Sequence, residues 1–179
     1  MIYVSQLDIK KDFVDDIINM FRENFTDTFV WDETRVLSMT KYGLDTEKNK
    51  VVYSKIFDLV KKVQSLVSHD NRFKFIENAE IVKYPQGASK CYHYDVARKS
   101  TEAASITYLN DDYIGGQTVI SGVNVQPLQG RTVYFDGTSN RHCVENVLKG
   151  DRYTLSIWYG HNPESTVNKE FNENVWSLW

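Results

Sequence analysis

From about Phe73 onward the chain breaks into short β-forming segments, each closed by a turn signal. The segments span residues 76–84, 90–96, 104–109, 116–120, 124–126, 132–135, 142–147 and 153–159. Between them lie Pro85-Gln86-Gly87, Asn110-Asp111-Asp112, Ser121-Gly122, Gln129-Gly130, Asp136-Gly137 and Lys149-Gly150-Asp151. About eight short strands at this spacing restrict the fold to a sandwich or a jelly-roll barrel. Before them the periodicity changes. Residues 7–24 carry Phe13, Ile17, Ile18 and Phe21 at helical spacing, with Asp8 placed to cap. Residues 46–67 carry a second stripe of Val51, Ile56, Leu59, Val60, Val63 and Leu66. Residues 25–46 read as irregular, with Trp31 and Tyr42 as core anchors. Helices first and strands after make the class α+β.

With 179 residues the chain is expected to be one domain, residues 1–179: helical support over about 1–72, a strand core over about 73–160 and a tail over 161–179. The tail ends in Val175, Trp176, Leu178 and Trp179, an aromatic end that can dock on the domain or cover a substrate. A net charge of −3 gives no electrostatic footprint for nucleic acid, and no apolar run is long enough to span a membrane. The start lacks the basic and apolar regions of a signal peptide, so the expected location is cytoplasmic. Cys91 and Cys143 are the only cysteines, too few for a four-thiolate zinc site; both are read as small buried thiols in a reducing compartment.

The chemistry concentrates around Cys91-Tyr92-His93-Tyr94-Asp95. On a strand, side chains two apart share a face, so His93 and Asp95 would aim at one point. One more nitrogen donor completes a two-histidine, one-carboxylate triad of the kind that holds non-haem Fe(II) and leaves positions open. Of the other histidines, His142 is best placed: it follows the turn-rich loop 136–141 and opens a strand. His69 and His161 read as surface residues. Along the last strand, Arg152, Thr154, Ser156 and Trp158 share one face by period two, and Tyr153, Leu155, Ile157 and Tyr159 the other. An arginine there reaches solvent or a nearby acid, or it grips a carboxylate in bidentate fashion; the strand alone does not choose. Arg98, Lys99 and Arg141 read as solvated loop charges, and Gly115-Gly116 as a turn.

Taken in order, several of these pieces resemble a known group. Tyr84-Pro85-x-Gly87 precedes His93-x-Asp95; Tyr108-Leu109-Asn110-Asp111 and Gly115-Gly116-Gln117-Thr118 follow. Then come Pro127-x-x-Gly130, Phe135, His142-x-Val144 and Gly150-x-Arg152-Tyr153 leading to Trp158. The segment resembles the Fe(II)/2-oxoglutarate-dependent dioxygenases, in particular the prolyl 4-hydroxylase-like branch. The resemblance implies a double-stranded β-helix, the jelly-roll core, with N-terminal supporting helices. It implies His93, Asp95 and His142 as iron ligands and catalytic residues, and Arg152 as partner of the far carboxylate of 2-oxoglutarate. It implies further co-substrate contacts from Tyr108, Tyr84 and Thr118. Arg152 stands where many relatives carry lysine, and Ile120 where many carry phenylalanine.

The implied function is hydroxylation of an unactivated C–H bond, with Fe(II) as cofactor, 2-oxoglutarate as co-substrate, ascorbate as an optional reductant, and succinate and CO2 as products. Asp95 favours hydroxylation, since an Ala or Gly there would open a halide position. The substrate so implied is a prolyl residue of a peptide or protein; another amino-acid side chain or a small molecule is the alternative within the same chemistry. A different class, a cupin- or lectin-like jelly-roll binding module, has no need of the Arg152–Tyr108 anion clamp. Specificity is expected in the segments 25–46, 97–103 and the tail. Oligomeric state is not readable from the sequence.

Overall fold

The computed structural model describes residues 1–24, 28–38, 46–96 and 99–164, with the side chains at 29 and 46–53 outside that description. Tyr42, the Val51 side chain, Arg98 and the tail residues Val175, Trp176, Leu178 and Trp179 therefore lie outside the described residues. The elements in chain order are β1 (Ile2–Gln6), α1 (Lys11–Glu23), β2 (Phe29–Trp31), β3 (Thr34–Ser38), α2 (Thr46–Ser65), a short 3-10 helix (Asn71–Phe73), β4 (Phe75–Tyr84) and β5 (Lys90–His93). They continue with β6 (Thr101–Tyr108), β7 (Ile114–Gly115), β8 (Thr118–Ile120), β9 (Val123–Val125), β10 (Arg131–Phe135), β11 (His142–Val144), β12 (Val147–Lys149) and β13 (Arg152–Gly160).

All the strand pairs are antiparallel. Seven strands form one sheet in the order β1-β10-β6-β13-β4-β3-β2, four form a second in the order β5-β11-β8-β9, and β12 pairs with β7. Two antiparallel sheets with these crossovers, helices on one side, make a double-stranded β-helix jelly roll of α+β class. The period-two reading of β13 explains the layering. Tyr153, Leu155, Ile157 and Tyr159 join Ile17 and Phe21 of α1 and Ile56, Val60 and Val63 of α2 in the outer core. Each such aliphatic side chain contributes about 1.5–3 kcal/mol by leaving water. The Tyr134 hydroxyl donates to the Val63 carbonyl at 3.0 Å and ties α2 to β10. The opposite face turns inward, where Tyr108, Ile120, Val133 and Phe135 pack between the sheets. Among the described residues no helix is long and apolar enough to cross a membrane.

Several sequence expectations change. The first residues pair with β10 as β1. Leu7 then spends its amide on the Gly130 carbonyl at 2.9 Å, so the chain stays extended and α1 starts at Lys11. Asp8 is too early to cap it, and the N-cap residue Lys10 makes no side-chain capping bond. Residues 29–38, read as irregular, form the β2–β3 hairpin, which extends the large sheet through β4. Its turn uses Asp32 at φ 53° instead of the glycine that would have signalled it. Trp31 is 38% exposed and no core anchor. Because α2 ends at Ser65, Leu66 falls out of the stripe and is 45% exposed, while Val67 is buried in its place. The segments 116–120 and 142–147 each split, giving β7 and β8 on one side and β11 and β12 on the other. Cys143 is buried as expected, but Cys91 is exposed; both are free thiols.

Candidate active site

His142 opens β11 directly opposite His93, the last residue of β5. The two imidazoles stand 4.2 Å apart between ring centres. Asp95 is not on the strand. β5 ends at His93, and the chain bends so that the Asp95 amide donates to the Gly137 carbonyl at 2.9 Å. The carboxylate therefore reaches the histidines through a turn held by the 136–140 loop, and not through strand alternation. Its Oδ1 lies 3.7 Å from His93 Nε2, and its Oδ2 lies 3.6 Å from His142 Nε2. One donor atom from each of the three residues falls within 4.8 Å of the others.

The surroundings hold both imidazoles in one tautomer. His93 Nδ1 donates to the Cys91 carbonyl at 2.8 Å, and His142 Nδ1 donates to the Asn140 carbonyl at 2.9 Å. Each Nε2 lone pair is left for the shared point, the arrangement that metal-ligating histidines use. Burial lowers the His93 pKa below its ordinary value, which favours the neutral, ligating form. The loop that supplies these carbonyls is knit by Asp136, whose carboxylate accepts from the Thr138 and Ser139 amides at 3.0 and 2.9 Å. Gly137 is needed for a steric reason. A Cβ there would stand 2.6 Å from Asp95 Oδ2 and 3.1 Å from its Cγ. A neutral–neutral–anionic N,N,O donor set of this kind fits Fe(II).

Deeper in the cup lies Arg152, 1% exposed, opposite Tyr84 across the β13–β4 ladder. No described carboxylate forms an ion pair with it. Its Nη2 donates to Thr118 Oγ1 at 3.1 Å, and its Nε has no partner. The guanidinium lies 4.7 Å from the Tyr84 ring centre and 5.2 Å from that of Tyr108. The Tyr108 hydroxyl sits 2.7 Å from Thr118 Oγ1 and 3.2 Å from the Val125 carbonyl, its two acceptors. Thr118 stands two positions along β8 from Ile120, which pairs with His142. The Arg152 guanidinium, reaching across from β13, thus meets β8 about 7 Å further along than the triad does, by the rise of two residues. Tyr84, His93, Asp95 and His142 line one cavity, and Arg152 packs on Tyr84 beside Tyr108 and Thr118.

Three contributors were not read as site residues, although Trp31 lies in a segment expected to carry specificity. Trp31 lines the mouth with Trp158, their rings 6.4 Å apart, and Lys90 stands 4.2 Å over Trp31 while pairing with Asp32. Gly137 looked like an ordinary turn residue. Tyr113 was hidden in a loop, yet its hydroxyl is buried beside the Arg152 guanidinium with no acceptor for its proton. Lys99 is exposed, and Arg141 is exposed and stacks on Tyr92 at 4.9 Å.

Residues 79–160 match the model of the 2OG-Fe(II) oxygenase superfamily. This segment is similar to a 2OG-Fe(II) oxygenase core. Over 84 residues the chain is 38% identical to the rat 2-oxoglutarate and iron-dependent oxygenase domain-containing protein 3, covering 42% of this chain and 27% of that protein. Over a similar stretch it is 27% identical to human prolyl 3-hydroxylase 2, covering 42% of this chain and 12% of that one. The chain thus spans well under a third of the length of these curated relatives. Across the oxygenase fold the likeness is broader. A Pseudomonas putida prolyl-4-hydroxylase superposes with a TM-score of 0.69 at 18% identity, over 90% of this chain and 92% of that one. A Trichoplax adhaerens prolyl hydroxylase, solved with a hypoxia inducible factor peptide fragment, gives 0.65 at 15% identity, over 97% and 86%.

Proposed function

We propose that this chain is an Fe(II)- and 2-oxoglutarate-dependent dioxygenase of the prolyl 4-hydroxylase-like branch, hydroxylating a prolyl residue of a peptide or protein with release of succinate and CO2. The single observation that carries the reading is the buried Arg152. A guanidinium 1% exposed and paired with no described carboxylate is costly, and a dianionic co-substrate whose far carboxylate reaches it repays that cost. Thr118 supports the same grip. Its oxygen accepts from Arg152 and from Tyr108, which uses both lone pairs and leaves its own proton to donate to the anion. Tyr84 and Tyr108 wall the guanidinium and hold its plane.

In this reading His93, Asp95 and His142 hold the metal. Bound there, Fe(II) supplies the dioxygen chemistry coupled to decarboxylation of 2-oxoglutarate. The chain's own work is orientation. The Cys91 and Asn140 carbonyls fix the imidazoles, Gly137 leaves room for the carboxylate, and the Phe135 ring, 4.7 Å from His142, keeps that side of the cup dry. The aromatics at the mouth, Trp31 and Trp158, suit the flat apolar face of a proline ring in a peptide. Relatives whose names state prolyl hydroxylation support that substrate class.

The test is incubation of the protein with Fe(II), 2-oxoglutarate and proline-containing peptide libraries. Succinate formation and a gain of one oxygen on proline, both abolished by EDTA, are expected; fragmentation and standards read the ring position. Succinate coupled to oxidation of a different side chain or small molecule would keep the chemistry and reject the prolyl substrate. No succinate with any peptide, and no binding of 2-oxoglutarate, would reject the reading.

A further inference from the structure

The cup around Arg152 holds a hydroxyl that the reading above does not use. Tyr113 sits in the loop between β6 and β7, and its ring packs against the cluster of Val36, Val82, Tyr84, Val144 and Val147. Two glycines with left-handed backbones make its space. A Cβ on Gly116, at φ 65°, would stand 3.1 Å from both Tyr113 Cε2 and Arg152 Cδ. A Cβ on Gly150, at φ 82°, would stand 3.2 Å from Tyr113 Cβ. The tyrosine and the arginine are thus packed into the same corner, with Gly116 against the ring and Gly150 against its Cβ.

The polar atoms of that corner are incompletely bonded. Tyr113 Oη and Arg152 Nε are both buried without a hydrogen bond of ordinary geometry. Leaving such a group unbonded costs about 1–3 kcal/mol, so two side by side are unusual unless something else satisfies them. Burial pushes the Tyr113 pKa up, opposed only in part by the adjacent guanidinium, so the hydroxyl stays protonated and can donate. A guanidinium has no acceptor, so the tyrosine can offer it only a lone pair and must turn its proton elsewhere. Tyr108 does not compete for the role, because its proton is already directed at Thr118 and the Val125 carbonyl.

We infer that Tyr113 is a co-substrate-binding residue whose hydroxyl donates a hydrogen bond to the far carboxylate of 2-oxoglutarate held by Arg152, and so selects keto acids that carry that second carboxylate. This rests on the dioxygenase reading of the cup. Thr118 and Tyr113 then donate alongside the guanidinium, and a keto acid without the second carboxylate gains nothing from any of them.

The experiment compares wild type, Tyr113→Phe and Arg152→Met as full chains loaded with Mn(II) without oxygen, titrated with 2-oxoglutarate and with pyruvate. Tyr113→Phe is expected to weaken 2-oxoglutarate about tenfold, the equivalent of one hydrogen bond to a charged group. Pyruvate and Mn(II) affinities stay within about twofold. Without ligand, the melting temperature is expected to be no lower than wild type, because phenylalanine keeps the packed ring and removes a buried proton that had no acceptor. Unchanged 2-oxoglutarate affinity, an equal loss for both keto acids, or a lowered melting temperature would each overturn the role of Tyr113. If wild type binds no 2-oxoglutarate, or Arg152→Met binds it as wild type does, the dioxygenase reading fails and the Tyr113 role falls with it. If those two behave as expected and only Tyr113→Phe matches wild type, the Tyr113 role alone is wrong.

Discussion

At the scale of single residues, the site depends on groups whose value lies in what they leave room for or leave unpaired. Gly137 has no left-handed backbone to excuse it, so alanine fits the chain there. The methyl group would nevertheless meet Asp95 Oδ2 at 2.6 Å. Gly137→Ala is therefore expected to fold and to lose about 10–100-fold in Mn(II) or Fe(II) affinity, the range for residues that orient a metal ligand. Metal titration beside a thermal melt separates the two effects. Arg152→Met should behave in the opposite sense toward stability. Removing an unpaired buried charge leaves the ligand-free melting temperature unchanged or higher, while 2-oxoglutarate affinity falls at least about 100-fold for the loss of two charged hydrogen bonds. A lowered melting temperature in the ligand-free variant would mean that the guanidinium is already stabilised within the fold. His93 and His142 were readable because they stand at the ends of strands that announce themselves, whereas Arg152 needed the ordered run of motifs, since alternation along β13 left it between solvent and a carboxylate. Tyr113 and Gly137 were not, because their roles exist only where the 113–116 loop meets β13 and the 136–140 loop meets the residue after β5.

Elements divide along the same line. α1, α2 and the strands of the core have local signatures: an apolar stripe, alternation, a glycine or proline at the turn. β1 and the β2–β3 hairpin exist because of partners far along the chain, β10 and β4, and nothing local states that pairing. Asp95 illustrates the hazard. Its convergence with His93 was expected from strand geometry and instead comes from a bend bonded to Gly137. The hairpin has a further consequence. Its turn is pinned beside the metal ligands by the Lys90–Asp32 pair and by the Ser89 amide donating to Glu33 at 3.0 Å. Trp31 is thereby held against Trp158 at the mouth and not in the cup. Trp31→Ala should raise the peptide KM about 3–10-fold, the worth of an aromatic contact, while 2-oxoglutarate and metal affinities stay within twofold. A parallel loss of 2-oxoglutarate affinity would place Trp31 in the cup instead.

Over the whole molecule, the helical layer and the metal loop are joined through charge. Asp70 caps the 3-10 helix by accepting from the Arg72 amide at 3.0 Å, and Arg72 reaches on to Asp136 at 3.6 Å, in the loop that carries Gly137 and Asn140. The hydrogen bonds from Arg72 hold the Asp70 carboxyl below its ordinary range. For Asp136 burial acts upward, but the bonds from Thr138 and Ser139 outweigh it and the net direction is also down. A carboxyl whose folded pKa lies below its unfolded value contributes stability that is complete above the unfolded value and is lost as pH falls through the folded one. His93, lowered by burial, has the same sign at a higher pH: unfolding takes up its proton below the ordinary histidine value of about 6.5. The metal-free protein should therefore lose stability on acidification in two stages, a first beginning below about pH 6.5 and a second below about pH 4. His93→Gln should remove the first stage and leave the second. Asp136→Asn should shrink the second, and it should also weaken metal binding, because the Asn140 and Gly137 carbonyls lose the loop that holds them. Melting curves from pH 8 to 3 with EDTA read both stages. A single stage unaffected by either substitution would show that the acid response lies elsewhere and that the loop is organised without Asp136.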